Sequence, residues 1–189
     1  MPESAALKIF YRSATVEMVD DMENTAEKNF SENSNKGNEN ISKEKYLTFF
    51  IDEQLFAIPS SQVVEIIRMQ PITYIPKLPP FVIGVINLRG KIVPLVDLRL
   101  KFNKEPREYD DYTSIIVVET GDLSVGFIVD RVNDVTDVSK NQISDSPKLA
   151  KDTTNGFIVG IATLLGEAVM LLDTVKILSD DDETSNQVM

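Results

Sequence analysis

The chain has 189 residues and a hydrophobic fraction of 42%, enough for one large domain or two small ones. Its 30 Asp and Glu against 19 Lys and Arg give a net charge of −11, and without a local basic cluster such a chain repels nucleic-acid phosphates and anionic lipid. Cys and His are both missing, which excludes disulfides, thiolate metal sites, thiol nucleophiles, Ser-His-Asp triads and the usual neutral-pH general base.

The opening residues, MPESAALKIFYRSATVEMVDD, lack a basic segment followed by an unbroken apolar stretch, so no secretory signal is read there. Leu7, Phe10, Ala14, Met18 and Met22 fall at helical spacing, which fits either a transient helix or a docking peptide. Residues 23–45 are dominated by Asn, Glu, Lys and Ser. Such a stretch buries too little apolar surface to offset its ordering entropy, so residues 1–45 are expected to form a disordered leader.

From Tyr46 the texture changes. YLTFFIDEQLFAIP reads as a β-hairpin broken at Asp52, Glu53 and Gln54. SSQVVEIIRM has Ser60 or Ser61 as an N-cap candidate and Val63, Ile66 and Ile67 on one helical face, giving one or two helical turns or a β-branched strand. The proline-punctuated ITYIPKLPPFVIGVI is extended. NLRGKIVPLVDL then gives strand, Gly90 turn, strand. SIIVVETGDLSVGFIVD is a hairpin turning at Thr120, Gly121 and Asp122, and FIVGIATLLGEAVMLLD is a further strand–Gly–strand unit. SDDDETSNQVM is an acidic tail over residues 179–189. Many short Val/Ile-rich strands with regular turns predict an all-β barrel or sandwich over 46–178. No apolar run reaches the roughly 18 residues of a membrane span, so a cytoplasmic chain without membrane insertion is expected.

The two halves repeat. GVINLRGKIVPLVDLRLKF from Gly84 aligns without gaps on GIATLLGEAVMLLDTVKIL from Gly160, matching Gly84 to Gly160, Gly90 to Gly166 and Asp97 to Asp173. At a second, shorter shift Ala57 matches Gly126, Val63 matches Val132, Glu65 matches Asp134 and Ile66 matches Val135. The paired glycines Gly84, Gly90, Gly160 and Gly166 suit turns needing positive φ, and the apolar matches suit one core pattern used twice. Two such barrels packed together create a groove, a default binding site. The copies differ at that turn, where Asn87-Leu88-Arg89-Gly90-Lys91 becomes Thr163-Leu164-Leu165-Gly166-Glu167. Only the first presents an arginine.

Arg89 is either a solvated turn charge or a charge-assisted anchor held by Glu65 that receives a partner. Val132 and Val135 are either core or an apolar stripe on the groove. Leu149, in the polar stretch KNQISDSPKLAKDTTNG, is a lone exposed Leu or a partner contact. Asp110-Asp111 and Asp180-Asp181-Asp182 lack the spacing and glycine of a calcium loop, and GVINLRGK lacks the Gly-Lys-Ser/Thr ending of a phosphate loop. No metal or cofactor is expected. A carboxylate-based hydrolase remains the rival from the enzyme class, although nothing selects a pair of carboxyls.

Residues 84–102, GVINLRGKIVPLVDLRLKF, resemble the signature of the CheW family, the adaptor proteins of bacterial chemotaxis. FAIPSSQVVEIIR upstream, VGFIVDRVNDV downstream and the closing LLDTVKIL extend the likeness over residues 46–178. The resemblance implies two SH3-like five-stranded β-barrels with short helices about a shared apolar core, the first mainly from about 46–104 and the second mainly from about 112–178, with a possible exchange of strands. It implies a non-catalytic scaffold that couples the cytoplasmic hairpin tip of chemoreceptors to the regulatory domain of a CheA-type histidine kinase, recruited to membrane-bound receptor arrays. By matching positions, the receptor groove involves Val63, Glu65, Arg89, Ser114, Gly126, Val132 and Val135. The kinase contacts include Ile66 and Leu149. Ser114 stands where an apolar residue is often found. With no receiver or kinase domain, a free-standing adaptor is expected, and an adaptor of a sister motility or gene-expression pathway is the same-fold alternative.

Overall fold

The computed structural model describes residues 43–121, 123–145, 156–164 and 166–178. Eleven strands follow in chain order: β1 (Lys43–Ile51), β2 (Gln54–Pro59), β3 (Val63–Arg68), β4 (Val82–Leu88), β5 (Lys91–Asp97), β6 (Ser114–Thr120), β7 (Leu123–Val129), β8 (Arg131–Ser139), β9 (Ile143–Asp145), β10 (Ile158–Leu164) and β11 (Glu167–Leu172). Two short helices, α1 (Leu98–Lys101) and α2 (Thr174–Leu178), follow β5 and β11. The leader lies outside the described residues except for Lys43–Lys45, which are strand: they pair with Asp137–Ser139 of β8, so the folded part starts ahead of Tyr46.

The helical reading of Val63–Arg68 is overturned. Four of the six residues in VVEIIR are β-branched and stiff at χ1, which favours a pleated surface over a helix. The segment pairs antiparallel with β6, and a register shift puts Val63 on the face of Val118 and Glu65 and Ile67 on the face of Val117 and Ile115, while Ile66 is exposed. The preceding 3-10 turn, Ser60–Gln62, is entered from Pro59 and has no side-chain cap, so neither serine plays the expected capping role.

The strands form a six-stranded sheet, β8-β1-β2-β11-β10-β9, and a five-stranded sheet, β3-β6-β7-β5-β4. The expected pair of five-stranded sheets is exceeded by the short β9, which adds to β10. Replacing each strand of the five-stranded sheet by its repeat partner reproduces the order β8-β1-β2-β11-β10. Each half therefore lends strands to the other's sheet, through the parallel pairs β5–β7 and β11–β2. The boundary between the sheets is not a point in the chain.

Both sheets curl. In the five-stranded one the chain after β3 bridges β4 at Thr73–Val85, joining the two outer strands. In the other, one 3-10 turn (Lys140–Gln142) links outer strands β8 and β9, and Val138 and Ile143 share a core. Period-2 alternation then divides the apolar residues among three clusters. Ile115 and Val117 of β6 fill the interior of the five-stranded sheet together with Leu95 and Ile128. The alternate residues Ile116 and Val118 turn the other way, against Phe49, Phe56 and Phe127 in a core shared by both sheets. Ala57, Ala162, Val169 and Leu171 occupy the interior of the six-stranded sheet. The shared core includes a stack of rings, Phe56 to Phe102 at 5.1 Å and Phe102 to Phe157 at 4.9 Å between centroids.

The four paired glycines do two different jobs. Gly90 and Gly166 both sit at φ 89° in the β4–β5 and β10–β11 turns. Gly84 and Gly160, expected at turns, lie inside β4 and β10 at register shifts. A Cβ on Gly84 would strike the Thr73 carbonyl, and one on Gly160 would lie 2.9 Å from Ile143 Cγ2 and 3.2 Å from Ser144 O. Close backbone approach demands glycine at these two positions, and Gly84 in addition sits at φ 153°.

Candidate functional site

The β4–β5 hairpin closes on two residues, with Leu88 paired to Lys91 and both Arg89 (φ 51°) and Gly90 (φ 89°) at positive φ. This is the turn class whose twist matches that of its strands, and it normally prefers Asn-Gly over Arg-Gly. Asn87 supports it by accepting the Gly90 N–H at 2.8 Å. An arginine held in left-handed backbone costs about 1–2 kcal/mol relative to its ordinary conformation. The Arg89 side chain reaches β3, the other outer strand of the five-stranded sheet.

There Arg89 Nη2 donates to Glu65 Oε2 at 2.9 Å. The pair is asymmetric: the Arg89 side chain is 80% exposed and that of Glu65 only 20%. Such a pair adds little stability, because solvent screens it. It does hold one face of a guanidinium in a fixed direction with its remaining donors open to solvent. On the other side of the turn, Lys91 Nζ donates to Glu119 at 3.2 Å and to the Ser124 hydroxyl at 2.6 Å. The Lys91 and Ser124 hydrogen bonds hold the Glu119 carboxyl below its ordinary value. The turn is thus tied to β3 on one side and to β6 and β7 on the other.

β3 and β8 present equivalent apolar pairs. Each carries a β-bulge against its neighbour, between Val63 and Glu65 in β3 and opposite Leu47–Phe49 in β8. Bulges re-aim side chains, and here Val63 and Val132 turn toward the shared core, against which both are partly buried. Ile66 and Val135 point outward, 44% and 48% exposed. Glu65 and Arg89 therefore come together, with Val63 across the bulge on the core-facing side of β3, and Val132 and Val135 reproduce the Val63 and Ile66 arrangement on the other sheet.

Two of the predicted residues stand apart. Ser114 begins β6 opposite Arg68, beyond the Glu65 level, and its hydroxyl donates to the Tyr112 carbonyl at 3.0 Å. Gly126 is a correction: it is buried inside the five-stranded sheet, paired with Val117 and Leu95, and offers no surface to a groove. A Cβ there would meet Leu95 Cδ2 at 2.5 Å and Ile115 Cγ2 at 2.7 Å, so its glycine serves packing. Leu149 and Asp122 lie outside the described residues. Reading the sequence also missed Thr48, a buried hydroxyl that binds the β8 bulge. The signal was available, as the one polar residue in the apolar run YLTFFI.

A pocket of about 260 Å³ lies elsewhere, lined by Phe50, Asp52, Arg107, Asp110, Tyr112, Asp130 and Arg131. Its three carboxylates are committed. Asp130 receives both Nε and Nη2 of Arg99, and Asp52 lies 3.6 Å from Arg99 and from Lys104. Backbone N–H groups of Tyr112 and Thr113, with Arg107, hold Asp110 below its ordinary value. Nearby Asp97 is pushed upward by burial, opposed by the Tyr109 hydroxyl bond at 2.9 Å. It caps α1 through the Arg99 N–H at 2.9 Å, and a carboxyl so engaged is poorly placed to shuttle protons. Among the described residues no group of carboxylates is arranged to hold a metal ion.

The family profile for a CheW-like domain matches residues 45–182. The chain belongs to the CheW family. Among CheW relatives, the chemotaxis protein CheW of Klebsiella aerogenes is 34% identical over 74% of this chain and 84% of its own length. That of Thermotoga maritima is 36% identical over 71% and 87%, and Protein FrzA of Myxococcus xanthus is 27% identical over 72% and 86%. The crystal structure of the scaffolding protein TtCheW from Thermoanaerobacter tengcongensis superposes with a TM-score of 0.66 at 32% identity, covering 70% of this chain and 90% of that one. The all-β, two-sheet architecture expected from the resemblance is the one observed. No helix among the described residues is long and apolar enough to cross a membrane.

Proposed function

We propose that this CheW-family chain is a non-catalytic adaptor. It couples the cytoplasmic hairpin tip of a chemoreceptor to the regulatory domain of a CheA-type histidine kinase, in the cytoplasm at membrane-bound receptor arrays. The receptor side comprises Val63, Glu65, Arg89, Val132 and Val135, with Ser114 at its margin. The kinase side includes Ile66 and, in the undescribed stretch, Leu149. The observation that carries the reading is the exposed Arg89 guanidinium fixed on Glu65 of β3, the strand that also carries the half-buried Val63 and the exposed Ile66. A charged anchor next to an apolar strip suits an amphipathic helical hairpin, whose apolar face lies on the valines while a carboxylate meets the arginine. Modest affinity on each of two faces gains effective concentration once both partners are engaged.

The test is pull-down with a receptor cytoplasmic hairpin fragment. Arg89→Glu places two carboxylates side by side and is expected to abolish retention while leaving the circular dichroism spectrum unchanged. Undiminished retention refutes the assignment of this face. A second reading is an adaptor of a sister motility or gene-expression pathway with different partners. A chain that binds hairpin fragments from another receptor class but not from chemoreceptors favours it.

A further inference from the structure

The two bulges that aim the docking residues are equivalent in the repeat, yet they are secured by different means. In β3 the bulged Glu65 is held from outside, by Arg89 across solvent. In β8 the bulge is held from inside. Thr48 of β1 is 1% exposed, and its hydroxyl donates to the Asp134 carbonyl at 2.8 Å. The same oxygen accepts the Asp134 N–H at 3.1 Å and the Asn133 side-chain amide at 3.0 Å. Asp134 Oδ1 in turn accepts the Val135 N–H at 2.7 Å. One buried hydroxyl thus satisfies both backbone groups that the bulge removes from the ladder, a need that follows from the cost of leaving them unpaired. The repeat partner of Thr48 is Val117, which has no hydroxyl to offer.

We propose that Thr48 is a positioning residue for the docking edge of β8, setting the directions of Val132 and Val135 without touching the partner. The inference rests on the docking assignment above. Losing the hydroxyl frees the bulge to slide, and a one-residue slip in a strand sends every side chain to the other face. The β3 bulge, tied to the turn by a surface ion pair, is the adjustable one, and the β8 edge is the fixed reference against which a hairpin registers.

The experiment titrates the full chain with a soluble chemoreceptor hairpin fragment by calorimetry. Thr48→Val, nearly isosteric, is expected to weaken binding by about 5- to 10-fold, the range for a lost hydrogen bond. Thr48→Ser, which keeps the oxygen, is expected to restore affinity to within about 2-fold. In a Val135→Ala background the Thr48→Val penalty shrinks, a coupling that general loss of stability does not produce. Should Thr48→Val fail to fold, the exposed Asn133→Ala removes one of the three bonds from the surface and is expected to weaken binding by about 3-fold. A wild-type affinity for Thr48→Val, or for Asn133→Ala should Thr48→Val fail to fold, or a Thr48→Ser as weak as Thr48→Val, overturns the positioning role. Failure of the wild-type chain to bind refutes the docking assignment instead.

Discussion

Arg89→Gly separates docking from folding. Three effects bear on stability. Glycine relieves the left-handed backbone of residue 89 (φ 51°), a gain of about 1–2 kcal/mol. It adds freedom to the unfolded chain, which costs about 0.5–1 kcal/mol. It also removes an ion pair whose guanidinium is 80% exposed, worth only ~0.2–1 kcal/mol after solvent screening. The sum lies within about 1 kcal/mol of zero, so urea unfolding should give nearly the wild-type midpoint. Docking loses the only guanidinium at this turn, and an arginine anchor at an interface is worth about 2 kcal/mol or more, roughly a 30-fold weaker Kd. The paired assays are urea titration and calorimetric titration with the receptor hairpin fragment. Unchanged affinity alongside unchanged stability refutes the anchor. A loss of more than about 2 kcal/mol of stability refutes the assignment of strain to the turn.

Gly126→Ala inserts a Cβ between Leu95 and Ile115, and overpacking of this kind is expected to cost about 1–3 kcal/mol in urea unfolding. Gly84→Ala drives a Cβ into the Thr73 carbonyl and should lower the thermal midpoint more than Gly160→Ala, whose nearest obstacle is the movable Ile143 side chain. The left-handed φ of Gly84 adds to that difference, and equal effects contradict both the close approach and the backbone strain. Burial raises the Asp97 pKa, so the folded protein binds this proton more tightly than the unfolded chain does. Its contribution therefore favours folding at low pH and is lost as the pH rises from the unfolded value through the raised folded one. The stability of Asp97→Asn relative to wild type should accordingly improve from about pH 4 to about pH 7, and an improvement in the opposite direction contradicts the burial account. Glu119, depressed by Lys91 and Ser124, has the opposite sign. Its contribution is present above its unfolded value and lost as the pH falls through the folded one, so Glu119→Gln should narrow the acid-side loss of stability.

The hairpins were legible because two short-range signals coincide in them, alternation and a turn residue at the right place. The register of Leu88 on Lys91 across Arg89-Gly90 is an example. The β3 segment was ambiguous for a physical reason. Val63, Ile66 and Ile67 fit one helical face while the four β-branched side chains lean toward a strand, and the partner β6 that decides the matter lies some fifty residues away. A possible exchange of strands was implied by the family resemblance, and the repeat did not fix it. Parallel pairs such as Leu95–Gly126 and Leu171–Ala57 leave no local trace. The same is true of the site. Glu65 and Arg89 were paired by inference and do meet. Gly126, however, was drawn onto the surface by its match to a motif, when its lack of a side chain answers to Leu95 and Ile115. Thr48 stood out as a hydroxyl in an apolar run, but its partner in β8 lies 86 residues away and leaves no local trace.

Bridging is tested most directly by sedimenting receptor-bearing membranes with a CheA-type kinase, with and without this chain, and assaying autophosphorylation in the pellet. The adaptor account predicts that kinase accumulates with the membranes and becomes active only when the chain is present, and that Arg89→Gly removes both effects. Kinase that sediments and fires equally well in its absence contradicts it.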